Sequence, residues 1–384
     1  MDFSEDLQRL REQNLYRTLN TVSAPAGPET VINGKKVLLF SSNSYLGIAN
    51  NPLIKARVIR EVEKFGTGSG GSRLTTGNFT IHRELEERLA AFKGTEDAVL
   101  FNCGYLANLG SIAALTSSGD YIFSDQLNHA SIIDGCRLSR AKTLVYAHAD
   151  LDDLRAKIAA VKPERGLIVT DGVFSMDGDL APLPGLLRVA GENHLRLLVD
   201  DAHATGVVGA TGRGTSEHFG LRPGEVDILV GTLSKAVAAE GGFVAGSQDL
   251  CDYLRNQARP FIFSTALAPA TVAAALGGVD YLANHPEAVQ RLRQNIAYFV
   301  SGLQKLGYPV AGESAIIPLL IGDEGKAKAV SDAMFDRGVY VPCIRYPTVE
   351  RGAARLRFTL MASHETKAID YALKSLAAVL ESFA

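Results

Sequence analysis

Paired cysteines are missing from this chain of 384 residues. Its four cysteines, Cys103, Cys136, Cys251 and Cys343, are scattered. They form no CxxC pair and share no zinc-like spacing with histidine, which sets aside a disulfide framework and a structural zinc site. Free thiols in a reducing compartment are the expectation. A run of about 18 apolar residues, enough to cross a membrane, is also lacking. The opening MDFSEDLQRLREQNLYRTLN has no apolar stretch of the signal-peptide kind, so a cytoplasmic protein is expected. Nor is there an excess of one charge: 39 Lys and Arg stand against 42 Asp and Glu, a net charge of −3. Nothing in that balance predicts a partner nucleic acid or membrane, and any cationic site for an anionic substrate must be local. Internal repeats and low-complexity segments are absent too.

What is present is an ordinary globular composition, with 46% apolar and 21% charged residues, on a chain long enough for a large and a small domain. Residues 2–20 read as an amphipathic helix, with Leu7, Leu10, Leu15 and Leu19 among charges. A turn-rich SAPAGPET then leads to a short strand, KKVLLF. From about residue 97, apolar runs recur at 98–102, 121–123, 143–147, 166–170, 196–200, 227–231 and 243–246, with helical patterns between several of them. Strands apolar throughout and alternating with helices predict an α/β fold with a mainly parallel sheet covered on both faces. After about residue 285, helices alternate with SAIIPLLIG, VYVPCI and RLRFTL, which reads as a smaller α+β domain. The expected division is 1–45 as N-terminal helix and arm, 46–285 as the large domain and 286–384 as the small one.

In sheets of this kind ligands bind beyond the carboxyl ends of the strands. Three such ends are polar here. RLLVD runs into Asp200, Asp201 and His203; DILVG runs into Thr232, Ser234 and Lys235; GLIVT runs into Asp171, Ser175 and Asp177. A lysine at a strand end can act as a Schiff-base nucleophile if its pKa is lowered, although an ordinary surface lysine has the same local sequence. An aspartate ending an apolar strand calls for a cationic partner, because burying a lone carboxylate is costly. A protonated pyridine nitrogen would serve; a helix cap is the plainer alternative. Asp200, Asp201 and His203 lack a further ligand of matching spacing, so no metal is expected. Gly104 and Tyr105 open a helix just after AVLFN, where free N–H groups could hold a phosphate. His129, after YIF, could cover one face of a flat cofactor and exclude water. Gly66, Gly68 and Gly71 match GxGxxG in letters only. A helical pattern precedes them and another follows, so they read as a glycine-rich turn and not as a dinucleotide site.

Together, SSNSYLG, FGTGSGGSRLTTGN, FNCGYLAN, SDQLNHASIIDG, TDGVFSMDGD, VDDAHATGVVG, GTLSKA, FIFSTALAPA and IRYPTVERGAARLRFTL resemble the α-oxoamine synthase family of fold-type I enzymes dependent on pyridoxal 5'-phosphate (PLP). The resemblance spans nearly the whole chain. It implies that Lys235 carries PLP, Asp200 pairs with the pyridine nitrogen, His203 and Ser175 hold the phenolic edge, and His129 stacks on the ring. Gly104, Tyr105 and Thr232 would hold the phosphate, with Thr265 added across a homodimer interface. Arg17 and Thr348 match positions that meet the acyl substrate, and Arg357 the arginine that binds the amino-acid carboxylate. The N-terminal segment with Arg17 and IRYPTVERG are similar to members that join L-alanine to a pimeloyl thioester on CoA or an acyl-carrier protein; glycine-using members are the alternative. Two positions depart from the family pattern: Ala238 stands where a glycine is usual, and Arg345 is followed by Tyr346-Pro347 where Pro-Pro is common.

Overall fold

The structure is a computed structural model that describes residues 3–13, 15–25 and 27–383. A hairpin of β1 (Glu29–Ile32) and β2 (Lys35–Leu39) precedes a seven-stranded sheet. That sheet contains β3 (Asp97–Phe101), β4 (Tyr121–Asp125), β5 (Lys142–Tyr146), β6 (Gly166–Asp171), β7 (Arg196–Asp200), β8 (Ile228–Thr232) and β9 (Gly242–Gly246). Its order is β3-β9-β8-β7-β6-β4-β5. Only β9 runs against the rest. All seven apolar runs are therefore strands, with ends shifted by a residue or two.

Side chains alternate between faces along a strand, so a sheet covered on both sides needs apolar residues at every position. Ala98, Leu100, Leu197 and Val199 pack into one core cluster, while Val99, Phe101 and Leu198 pack into the other. β5 is the exception: it lies at an edge, and Val145 is about half exposed.

The later chain supplies β10 (Ile316–Gly322), β11 (Val339–Tyr340), β12 (Cys343–Ile344) and β13 (Ala354–Thr359). β13 is central in an antiparallel sheet between β10 and β12. β11 instead joins β2 in parallel, so an early hairpin and a late strand share one sheet. No helix among the described residues is long and apolar enough to cross a membrane.

The first helix is shorter than the apolar spacing predicts. It covers Phe3–Glu12 and buries none of its residues, and Leu19 is 98% exposed in the extended chain beyond. Asp2 and Asn14 of that segment lie outside the described residues. A leucine stripe stabilises further turns only by packing on something, and among the described residues of this helix none is buried.

The departure at Ala238 has a backbone cost. Its φ is +58°, in the left-handed region that glycine enters freely. Ala238→Gly is expected to raise stability by about 0.5–1 kcal/mol, part of the left-handed penalty being offset by the freer unfolded chain. A thermal melt with no upward shift would remove this account of the turn.

Candidate active site

The polar residues singled out in the sequence meet at the carboxyl ends of β6, β7 and β8. Asp171 and Asp200 are register partners, and Asp200 is opposite Val230 on β8, five positions before Lys235. Asp200 is 5% exposed. Its Oδ2 accepts from Asn108 Nδ2 at 2.6 Å and its Oδ1 from the Ala202 N–H at 2.8 Å. Asn108 lies one turn into the helix Gly104–Leu115 and also donates to Ser131 Oγ at 2.9 Å. Its own Oδ1 is buried without a partner. Asn108 belongs to FNCGYLAN, yet nothing in its spacing marks it as the residue that aims Asp200.

Burial lowers the pKa of Lys235 to about 8, with Arg357 acting in the same direction and Asp200 and Asp171 opposing. The amine is thus partly neutral near physiological pH, as a nucleophile must be. Burial and the charge of Asp200 push Asp171 well above the usual carboxylate range, against the bond its Oδ2 accepts from the His129 N–H at 2.7 Å. Asp171 is thereby biased toward its protonated form, as expected where two buried carboxylates adjoin.

His203 is buried, and its Nδ1 is 2.6 Å from the Tyr45 hydroxyl. Burial, followed by the nearby Lys235, Arg357 and His129, drives its pKa well below the usual value, so the ring is neutral. Burial also pushes Tyr45 up to about 12, so it keeps its proton. Tyr45 Oη is 3.2 Å from Asn43 Oδ1, which also faces the two terminal nitrogens of Arg357 at 3.4 and 3.5 Å. Arg357 Nε donates to the Ser175 carbonyl at 2.5 Å. Tyr45 and Asn43 lie in SSNSYLG, whose string carries resemblance but no chemistry that could be read in advance.

The helix Gly104–Leu115 begins at Cys103 with no side-chain cap, leaving its first N–H groups available. A Cβ on Gly104 would come within 3.1 Å of Thr232 Cβ and 3.3 Å of Thr232 Oγ1, so the helix end and the strand end nearly touch. Thr232 Oγ1 is 2.8 Å from Ser234 Oγ. Free N–H groups beside two hydroxyls are the donor set a phosphate needs. His129 caps the helix Ala130–Leu138, with its Nδ1 2.7 Å from Ser131 Oγ, and its ring meets Tyr105 edge-on at 6.3 Å. The Tyr105 hydroxyl bonds Asp134. A carboxylate, a lysine, a phosphate cradle and a flanking imidazole in one place fit PLP.

Asp201, next to Asp200, serves differently. It forms a fully buried ion pair with Lys93 at 2.7 Å and accepts from Thr215 Oγ1 at 2.6 Å. Thr265 lies beside Ser72 and Asn102 on an exposed segment. Arg17 and Thr348 are also exposed, and no described hydrogen bond joins either of them to the cluster.

Residues 35–376 match the family described as aminotransferase class I and II. The chain belongs to that family. It is 57% identical over 375 residues to a putative 8-amino-7-oxononanoate synthase from Desulfovibrio desulfuricans, covering 98% of each chain. Among solved structures it resembles a serine palmitoyltransferase from S. paucimobilis with bound PLP (TM-score 0.93, 34% identity, 99% and 97% covered). It also resembles the 8-amino-7-oxononanoate synthase of Francisella tularensis (TM-score 0.78, 30% identity, 90% and 98% covered).

Proposed function

We propose that this chain is a PLP-dependent acyltransferase that joins L-alanine to a pimeloyl thioester, releasing CO2 and the carrier thiol and forming 8-amino-7-oxononanoate for biotin synthesis. The observation that carries the chemistry is the buried Asp200 and, on the neighbouring strand end, Lys235 with its pKa lowered to about 8, beside an uncapped helix start. The full-length likeness to synthases of that name supports the substrates.

Bound PLP supplies a sink for the electrons released at the amino acid's Cα. The residues would divide the remaining work. Gly104, Tyr105, Thr232 and, from a second copy of the chain in a homodimer, Thr265 hold the phosphate. Asp200, aimed by Asn108, keeps a proton on the pyridine nitrogen. His203 donates from Nε2 to the phenolic oxygen, which requires Tyr45 to donate to Nδ1, and Ser175 supports the same edge. His129 covers one ring face against water. Lys235 would hold the cofactor and would take the proton from Cα. Arg357 offers its two terminal nitrogens to the carboxylate in a fork a lysine could not reproduce. Arg17 and Thr348 would meet the acyl chain.

A second reading rests on the serine palmitoyltransferase likeness: the amino acid would be L-serine. Glycine-using relatives, glycine C-acetyltransferase or 5-aminolevulinate synthase, would lack the methyl contact. Thiol release should be measured for the PLP-loaded protein with pimeloyl thioester and each of the three amino acids. L-Alanine is expected to win by at least about tenfold in kcat/KM, the low end of what one methyl group is worth in a fitted pocket. Preference for serine or glycine rejects the alanine assignment.

A further inference from the structure

His148 lies outside the cluster just described, on the turn after β5, and neither of its ring nitrogens is spare. Nδ1 is 3.0 Å from Asp125 Oδ1, at the end of β4, and Nε2 is 2.8 Å from Asp179 Oδ2. A neutral imidazole has one N–H and one lone pair, so it could serve only one of two ionised carboxylates. Satisfying both requires the imidazolium. The two bonds raise its pKa to about 10, burial opposing, so the charge persists at neutral pH. The Asp125 side chain is 1% exposed and also accepts from the N–H groups of Leu127 and Ala149 at 2.8 and 2.9 Å, which fixes one end of the bridge. The ring also meets Phe174 edge-on at 4.4 Å.

The other end of the bridge is a tight loop. Val173 and Leu180 pair across it, the Phe174 N–H donates to the Asp179 carbonyl at 3.0 Å and the Gly178 N–H to the Phe174 carbonyl at 2.8 Å. The tip carries Ser175, whose carbonyl receives Arg357 Nε, and Asp177, which pairs with Arg355. Through this loop His148 is connected to the guanidinium that faces Asn43.

We propose that His148 is a positioning residue for the amino-acid substrate: doubly bonded between Asp125 and Asp179, it fastens the Val173–Leu180 loop whose Ser175 carbonyl aims Arg357. The inference rests on the reading of Arg357 given above. A guanidinium that swings loses its carboxylate partner first, whereas the acyl donor is held by other groups and the cofactor, apart from the support of Ser175, by residues outside this loop.

The test is steady-state kinetics of PLP-loaded His148→Gln. The KM for L-alanine is expected to rise about tenfold, while kcat and the KM for the thioester stay within about twofold and the visible cofactor spectrum is kept. Asp179→Asn, which removes charge at the more exposed end of the bridge, should change the same constant in the same direction, and it stands in if the histidine variant does not fold. An unchanged KM for L-alanine, or an equal rise in both KM values, overturns the proposal. Arg357→Lys separates the two ideas. A raised L-alanine KM there beside an unchanged one in His148→Gln keeps the reading of Arg357 and rejects His148; no change in Arg357→Lys rejects both.

Discussion

Lys235→Ala is expected to lower kcat by at least about a thousandfold, because in the proposed function the nucleophile that holds PLP and the base at Cα are the same amine. Covalent capture supplies a readout besides turnover. After incubation with PLP and borohydride reduction, mass spectrometry should find the cofactor mass on the peptide containing Lys235 in the natural chain and nowhere in the variant. The pH dependence has a fixed sign. A protonated amine cannot attack the aldehyde, and burial places this lysine at about 8 instead of the ordinary 10.5. Capture by the cofactor-free protein should therefore rise with pH through about 8. Labelling at another lysine, or a midpoint near the ordinary lysine value, would contradict both the residue and its environment.

The adjacent aspartates should fail in opposite ways. Asp201→Ala leaves Lys93 with Thr205 Oγ1 at 3.3 Å and the Arg213 carbonyl at 2.5 Å, and no ion-pair partner among the described residues. Removing one member of a fully buried pair costs about 3–5 kcal/mol. For a chain of this size that is a fall in Tm of roughly 4–6 °C. Asp200→Asn keeps the shape of its side chain and the bond to the Ala202 N–H, and its new amide can donate to the unpartnered Asn108 Oδ1 once that side chain flips, so its melt should stay within about 1–2 °C while activity is lost. Differential scanning calorimetry on both proteins decides it. A stable Asp201→Ala, or an Asp200→Asn as active as its parent, would reverse the roles assigned to the pair.

Much of the fold could be read beforehand because sheet burial writes itself into local composition. Leu197, Leu198 and Val199 are adjacent in sequence yet serve two cores, and only an apolar run can do that. The strand ends pointed to the candidate site for the same reason: ligands in such sheets bind where the apolar run stops. What stayed hidden depends on partners distant in the chain. Asn108 meets Asp200 from 92 positions away and Tyr45 meets His203 from 158, so no spacing rule could connect them. His148 was equally silent, since both carboxylates it joins come from other segments. The opening helix failed in the reverse sense. Its leucine stripe was legible, but a stripe reports what could be buried and not whether a surface is there to receive it.

The partnership of β2 with β11 has a consequence for synthesis. Lys35–Leu39 leave the ribosome early, but Val339–Tyr340 appear only after some three hundred further residues. Until then one edge of the hairpin has open amides and carbonyls, a template for unwanted pairing with other nascent chains. Closure of this seam must await synthesis of the chain through Tyr340, so a chain cut short before Val339 would keep that edge permanently unzipped.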